Sequence, residues 1–186
     1  MAELVQLKVD VVVVAASRGI LAAKQATKTI PVVMVTSMDP VATGLVDSLA
    51  RPGGNITGVS RLTRDLGGKR LELLKEIVPM LSRVGVLWEP DDPGAAIAFK
   101  EYDAAARALK IQLQSLEVRG PNPDLEGAFQ AAAKTRTSAV VAIVNIVLTR
   151  HAKRIAELAI KNRMPSMNEL RIRRGWWTHV LFSQQC

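Results

Sequence analysis

A single cysteine, Cys186, stands in 186 residues, and it is the last of them. A disulfide within one chain is thereby excluded, and the count fits any redox compartment. Aromatic residues make up only 4%, and the two histidines, His151 and His179, lie far apart in the sequence. No Ser/His/Asp arrangement, cysteine nucleophile or metal-ligand spacing can be assembled from this inventory. Gly53-Gly54 and Gly67-Gly68 match neither the phosphate-cradling P-loop nor the dinucleotide fingerprint. The expectation is therefore a chain with no catalytic residues, no metal and no cofactor. No uncharged apolar run reaches the roughly 18 residues that a membrane-spanning helix needs. The opening Met1-Ala2-Glu3-Leu4-Val5 has no basic start followed by an apolar core, so no export signal is expected and the chain as written reads as cytoplasmic.

What is present is a basic, aliphatic chain. The net charge is +8, with 48% hydrophobic and 23% charged residues, a globular composition. The positive charge is not gathered into a nucleic-acid footprint. Lys69, Arg70 and Lys75 lie on one amphipathic segment, and Arg150, Lys153, Arg154, Lys161 and Arg163 on another. Glu72, Glu76 and Glu157 are interleaved at helical spacing, as on ordinary solvated faces. No nucleic-acid partner is expected.

In chain order, residues 9–15 form a β-branched run, the pattern of a strand buried on both faces. Ser17 follows as a helix N-cap candidate, with a helix over 19–28 that Ile30-Pro31 stops. Residues 32–35 form the next strand. Pro40 fixes its own φ and pushes Asp39 out of the helical region, so this strand ends in a turn. Apolar residues at 41, 45, 46 and 49 then suggest a second short helix, giving β-α-β-α through residue 50. The stretch 39–60, DPVATGLVDSLARPGGNITGVS, is the pivot of the chain: Pro52-Gly53-Gly54-Asn55 breaks it, and 56–60 resume an extended pattern. Beyond it, helices are expected at 69–78, 95–109, 125–134 (capped by Asp124) and 147–161. Strands are expected at 84–88, 111–118, 139–144 and from 165. Strands alternating with helices imply βαβ units and parallel sheets. The fold class is α/β, in two doubly wound parallel-sheet units of which the first, with two or three strands, is too small to close its sheet. No internal repeat, low-complexity tract or flexible linker interrupts it.

LARPGGNITG (49–58), GKRLELLKEIVP (68–79) and RVGVLWEP (83–90) together resemble the substrate-binding proteins of bacterial ABC importers. The branch is one in which some members handle aromatic amino acids, and the resemblance runs from about residue 3 to about residue 168. It implies a periplasmic-binding-protein-like fold with the first lobe incomplete. Residues 1–59 would be the C-terminal part of lobe 1, 60–165 lobe 2, and 166–186 a return segment toward lobe 1. Residues 39–60 would lie near the first crossover between lobes. It also implies that an export signal and roughly half of the first lobe precede the counterpart of Glu3. The full-length protein would then be periplasmic or lipid-anchored, with a small-molecule solute and a membrane ABC permease as partners.

The C-terminus departs from that pattern. After Met167-Asn168-Glu169 the family continues to a segment ending Gly-Gly-Leu-Met-Ser-Tyr, whereas this chain reads Arg174-Gly175-Trp176-Trp177-Thr178-His179. Trp-Trp-Thr-His is encoded only by TGG TGG ACN CAY. Shifted by one base, those codons read GGT GGA CNC AYG and permit Gly-Gly-Leu-Met. A frameshift between about Glu169 and Gly175 is expected, the alternative being a divergent tail whose tryptophans pack on the surface.

Open α/β sheets bind ligands beyond the carboxyl ends of their strands, which singles out five residues. Ser17 and the N–H groups after it suit a carboxylate, or Ser17 is a plain N-cap. Asp39 suits an ammonium group, or forms the turn before proline. Ser60 lies at the inter-lobe crossover. Trp88 either stacks on an apolar ligand moiety or is a core tryptophan, and Asn145 bonds a ligand, caps the following helix, or both. The reading is the solute-binding component of an importer, not an enzyme, taking an amino acid or similar small polar solute. The rivals are the ligand-sensing domain of a transcriptional regulator, which lacks any helix-turn-helix here, and a doubly wound α/β enzyme, for which Asp39 is the sole convincing catalytic group.

Overall fold

Three valine- and isoleucine-rich segments make the sheet of the first unit. β1 (Val12–Ala15), β2 (Val32–Thr36) and β3 (Ile56–Ser60) pair in parallel in that order, with Val12 opposite Val32 and Val32 opposite Ile56. The computed structural model describes residues 1–36, 39–60, 66–143, 145–168 and 179–181. Its contacts divide the chain into two compact units, Met1–Arg64 with Asp92–Gly94, and Asp65–Asp91 with Ala95–Cys186.

In the first unit a short helix, α1 (Ala2–Gln6), precedes β1, and α2 (Ser17–Ala26) links β1 to β2. β1 begins at Val12 rather than at residue 9, where the Val12 N–H finds the Pro31 carbonyl at 2.9 Å. Ile20 and Ala23 of α2 pack on Val12, Val32, Met34 and Ile56, joined by Leu45 and Val46. Because strand order follows chain order, both crossovers lie on one face of this sheet. The opposite face leaves Val13, Val35 and Val59 exposed at 71%, 52% and 66%.

The second short helix expected over 41–50 does not form. Asp39 Oδ1 instead accepts the N–H groups of Val41 (2.8 Å) and Ala42 (3.0 Å), and Pro40 O accepts those of Leu45 and Val46. Gly44 at φ 66° reverses the chain, a conformation glycine enters without a Cβ penalty. The apolar spacing at 45 and 46 thus serves a series of turns that buries both side chains. Gly58, in the middle of β3, lies so close to β2 that a Cβ there would sit 1.9 Å from the Met34 carbonyl oxygen.

The second unit is α3 (Leu66–Ile77), β4 (Arg83–Trp88), α4 (Pro93–Ala108), β5 (Gln112–Glu117), α5 (Leu125–Lys134), β6 (Ala139–Ala142), α6 (Ile146–Arg150), α7 (Ala152–Lys161), β7 (Ser166–Asn168) and β8 (His179–Leu181). The strand order is β5-β4-β6-β7-β8, parallel throughout except for the antiparallel β7–β8 pair. Alternation along the central strands feeds two cores. Val84, Val86 and Trp88 of β4 and Val141 of β6 pack with Leu71, Leu74, Tyr102 and Ala106 of α3 and α4. Leu87 of β4 with Val140 and Ala142 of β6 pack with Leu125, Phe129, Ile155 and Leu158 of α5 and α7. Helices on both faces make this half of the chain doubly wound.

The single helix expected over 147–161 is broken at His151, which ends α6 and starts α7 at φ −98° and ψ 12°. Its Nε2 lies 3.0 Å from the Pro121 carbonyl oxygen. Asp124 caps α5 as expected, accepting the Gly127 N–H at 2.9 Å. The frameshift expected between about Glu169 and Gly175 falls outside the described residues.

Candidate functional site

In the first unit the parallel register puts Ala15, Val35 and Val59 in one row, and Thr36 opposite Ser60. Ser17, Asp39 and Ser60 therefore follow or end their strands at one carboxyl edge. Ser17 is not the N-cap. Ala16 holds that position at φ 95°, with no side-chain cap bond, so the chain has already entered the helix at Ser17. The Ser17 hydroxyl is turned elsewhere and donates to Asp92 Oδ2 at 3.4 Å. Asp39 forms the turn before the 41–50 segment through its Oδ1. Ser60 joins Pro40, Ser48, Leu49, Pro52 and Thr57 around an open cavity of about 190 Å³. Its wall is mostly apolar, with hydroxyls and no charged side chain, a lining suited to a small neutral or aliphatic group.

In the second unit, the carboxyl ends of β4 and β6 carry Trp88, Glu89 and Asn145. Trp88 is a core residue. It is 9% exposed, stacks on Phe99 with ring centroids 4.5 Å apart, and donates its indole N–H to Ser115 Oγ at 2.8 Å. Asn145 caps α6: its Oδ1 accepts the Leu148 N–H at 2.8 Å. Its Nδ2 donates to Glu89 Oε2, and both residues are buried. The turn after β4 is tied down by Arg119, whose Nη1 reaches Asp91 Oδ1 at 2.7 Å. The charge of Asp91 and this hydrogen bond raise the Arg119 pKa above its ordinary value.

The structure thus groups Ser17, Asp39 and Ser60 in one unit, and Trp88 and Asn145 in the other. Glu89 was not singled out from the sequence. The available signal was an acidic residue wedged between the last residue of a buried strand and a proline, where an ordinary strand end is more often solvated. Among the described residues no cluster of histidine, cysteine or carboxylates has the make-up of a metal site. No helix of the described residues is long and apolar enough to cross a membrane.

The profile of the family described as ABC transporter substrate binding protein matches residues 1–170. A tyrosine-binding protein of Clostridioides difficile (strain R20291) is 38% identical over 91 residues, 48% of this chain and 26% of that protein. A conserved domain protein of Vibrio cholerae superposes with a TM-score of 0.80 at 28% identity, over 90% of this chain and 55% of that one. A domain from Streptococcus pneumonia in complex with L-Trp has the same fold, with a TM-score of 0.77 at 22% identity and the same two coverages. The chain spans about half the length of these solved relatives and about a quarter of the curated one.

Proposed function

This chain belongs to the family of ABC transporter substrate binding proteins, and we propose that it captures a small polar solute, an amino acid or close analogue, without chemically changing it. The carrying observation is the carboxyl edge of the first sheet, where a hydroxyl, a carboxylate and a second hydroxyl (Ser17, Asp39 and Ser60) follow three parallel strands in register. Open α/β sheets bind ligands at that edge. The N–H groups that open α2 at Ser17 suit the solute's carboxylate. Asp39 suits its ammonium. The relative named as tyrosine-binding supports an aromatic amino acid as the first solute to try.

In this reading the longer family protein has two lobes, to which residues 1–59 and 60–165 contribute. Its closed, loaded form is offered to a membrane permease on the outer side of the cytoplasmic membrane. The work done is a difference in affinity between open and closed states rather than a reaction. The test is thermal unfolding of the chain against a panel of amino acids and aromatic carboxylates, followed by calorimetry on any that stabilise it. A ligand present at a hundred times its Kd should add about 2.7 kcal/mol of stability and be recovered unaltered. Consumption of the ligand, or no stabilisation by any member of the panel, would overturn the reading.

A further inference from the structure

In the second unit α3, α4, α5 and α7 each pass through a left-handed residue before the strand that follows. Those residues are Met80, Lys110, Arg136 and Arg163, with φ between 53° and 58°. After Lys110, Arg136 and Arg163 the next N–H reaches back to the carbonyl five positions earlier, as Ile111 does to Ala106 at 2.8 Å. Such a turn closes a helix, and its left-handed position ordinarily falls to glycine. Here all four positions carry a side chain, and three of the four are cations.

The sheet sets these turns side by side. β5, β4, β6 and β7 are parallel neighbours, so the turns that precede them share its amino edge. Counted back from the pairs Arg83–Gln112, Val84–Ala139 and Val140–Ser166, the four residues lie within about two positions of one level. Neighbouring strands are about 4.8 Å apart, so Lys110, Met80, Arg136 and Arg163 make a row about 15 Å long. All four are exposed, Met80 at 96%. Among the described residues no ion pair engages these three cations, whereas Arg107, Arg119 and Arg154 each have a carboxylate. The last turns of the four helices add Lys75, Arg107, Lys134 and Lys161, against the one carboxylate of Glu76. A cation at a helix C-terminus complements the dipole, which accounts for each of them singly. It accounts neither for their alignment nor for a bare methionine in the same row.

We propose that the amino edge of the second sheet docks on an anionic phospholipid surface. Lys110, Arg136 and Arg163 meet the headgroup phosphates, and Met80 seats between the headgroups. Such an interface takes cations and an exposed apolar side chain together. Solutes of an open α/β sheet bind at the opposite, carboxyl edge, so docking leaves that edge clear and does not depend on solute.

Co-sedimentation of the whole chain with vesicles of mixed phosphatidylglycerol and phosphatidylcholine, and of phosphatidylcholine alone, tests it. The wild-type chain should bind only the anionic vesicles, and less as salt is raised. Lys110→Gly, Arg136→Gly and Arg163→Gly together should weaken that binding about 100-fold, the loss expected for three surface cations. Glycine suits the left-handed turn, so this variant should unfold no earlier than wild type. Lys69→Gln, Lys100→Gln and Lys153→Gln remove the same charge from exposed positions elsewhere on the unit and should cost less than about 5-fold. No binding to anionic vesicles, equal binding by wild type and the triple-glycine variant, or an equal loss in the glutamine control overturns the proposal. Binding to polyglutamate without binding to vesicles would assign the edge to an acidic protein and overturn it as well.

Discussion

Ser166 is 2% exposed, and its hydroxyl has no hydrogen-bond partner among the described residues. It stands at the start of β7, opposite Val140 of β6. A buried polar group left unsatisfied costs about 1–3 kcal/mol, so Ser166→Ala should raise the stability of the second unit, by about 1 kcal/mol. Urea denaturation checks it, and a loss of stability would mean that the hydroxyl has a partner in solution. Asn145 and Asp124 are the contrasting case, polar residues whose oxygens accept N–H groups three positions ahead. Both caps were legible in the sequence because such a bond closes within one turn of chain. Ser17 was misread as a cap because the choice between positions 16 and 17 depends on the φ of Ala16, 95°. Nothing in an alanine announces such an angle. Trp88 was left open between core and ligand, since only the partners Phe99 and Ser115, brought by α4 and β5, decide which way an indole at a strand end turns.

On the outer surface of the second unit, Arg154 of α7 pairs with Glu126 of α5. The guanidinium Nε donates to Glu126 Oε1 at 2.8 Å, and Nη2 donates to the same oxygen. Hydrogen bonding to Arg154 holds the Glu126 carboxyl below its ordinary pKa. A lowered folded-state value means that the pair's stabilisation is present above the ordinary glutamate range and is lost as pH falls through the lowered one. Glu126→Gln should therefore flatten the acid side of the thermal stability profile while leaving neutral pH nearly unchanged, because exposed pairs contribute little. Added salt should mimic the substitution by screening. An identical acid slope in wild type and variant would show that the pair contributes nothing. At this scale the periodic helices α3, α4, α5 and α7 were readable from apolar spacing. The segment 41–50 was not, because apolar residues four apart also suit consecutive turns, and Asp39 and Gly44 tip the backbone that way. The break at His151 was equally hidden, since the apolar stripe continues through it.

Taken whole, the chain's two units are unequally packed. The second unit buries its central strands beneath helices on both faces. The first has one covered face and a second that exposes Val13, Val35 and Val59, whereas parallel sheets are ordinarily covered on both faces. Amide hydrogen exchange should follow this difference. The amides of β1, β2 and β3 should open at a free energy at least about 2 kcal/mol below those of β4 and β6. Equal protection across both sheets would show that something covers the valine face in solution. The alternating βα order, the parallel sheets and the absence of metal-ligand and nucleophile spacings followed from the sequence by itself, because period, punctuation and composition are local properties of the chain. Tertiary structure alone decided which strand lies beside which, and hence that β4 and β6 flank a point where connections diverge. It also decided that Glu89 and Asn145, 56 positions apart, meet there. Pairing across such a distance depends on packing the whole sheet, and no short-range pattern encodes it.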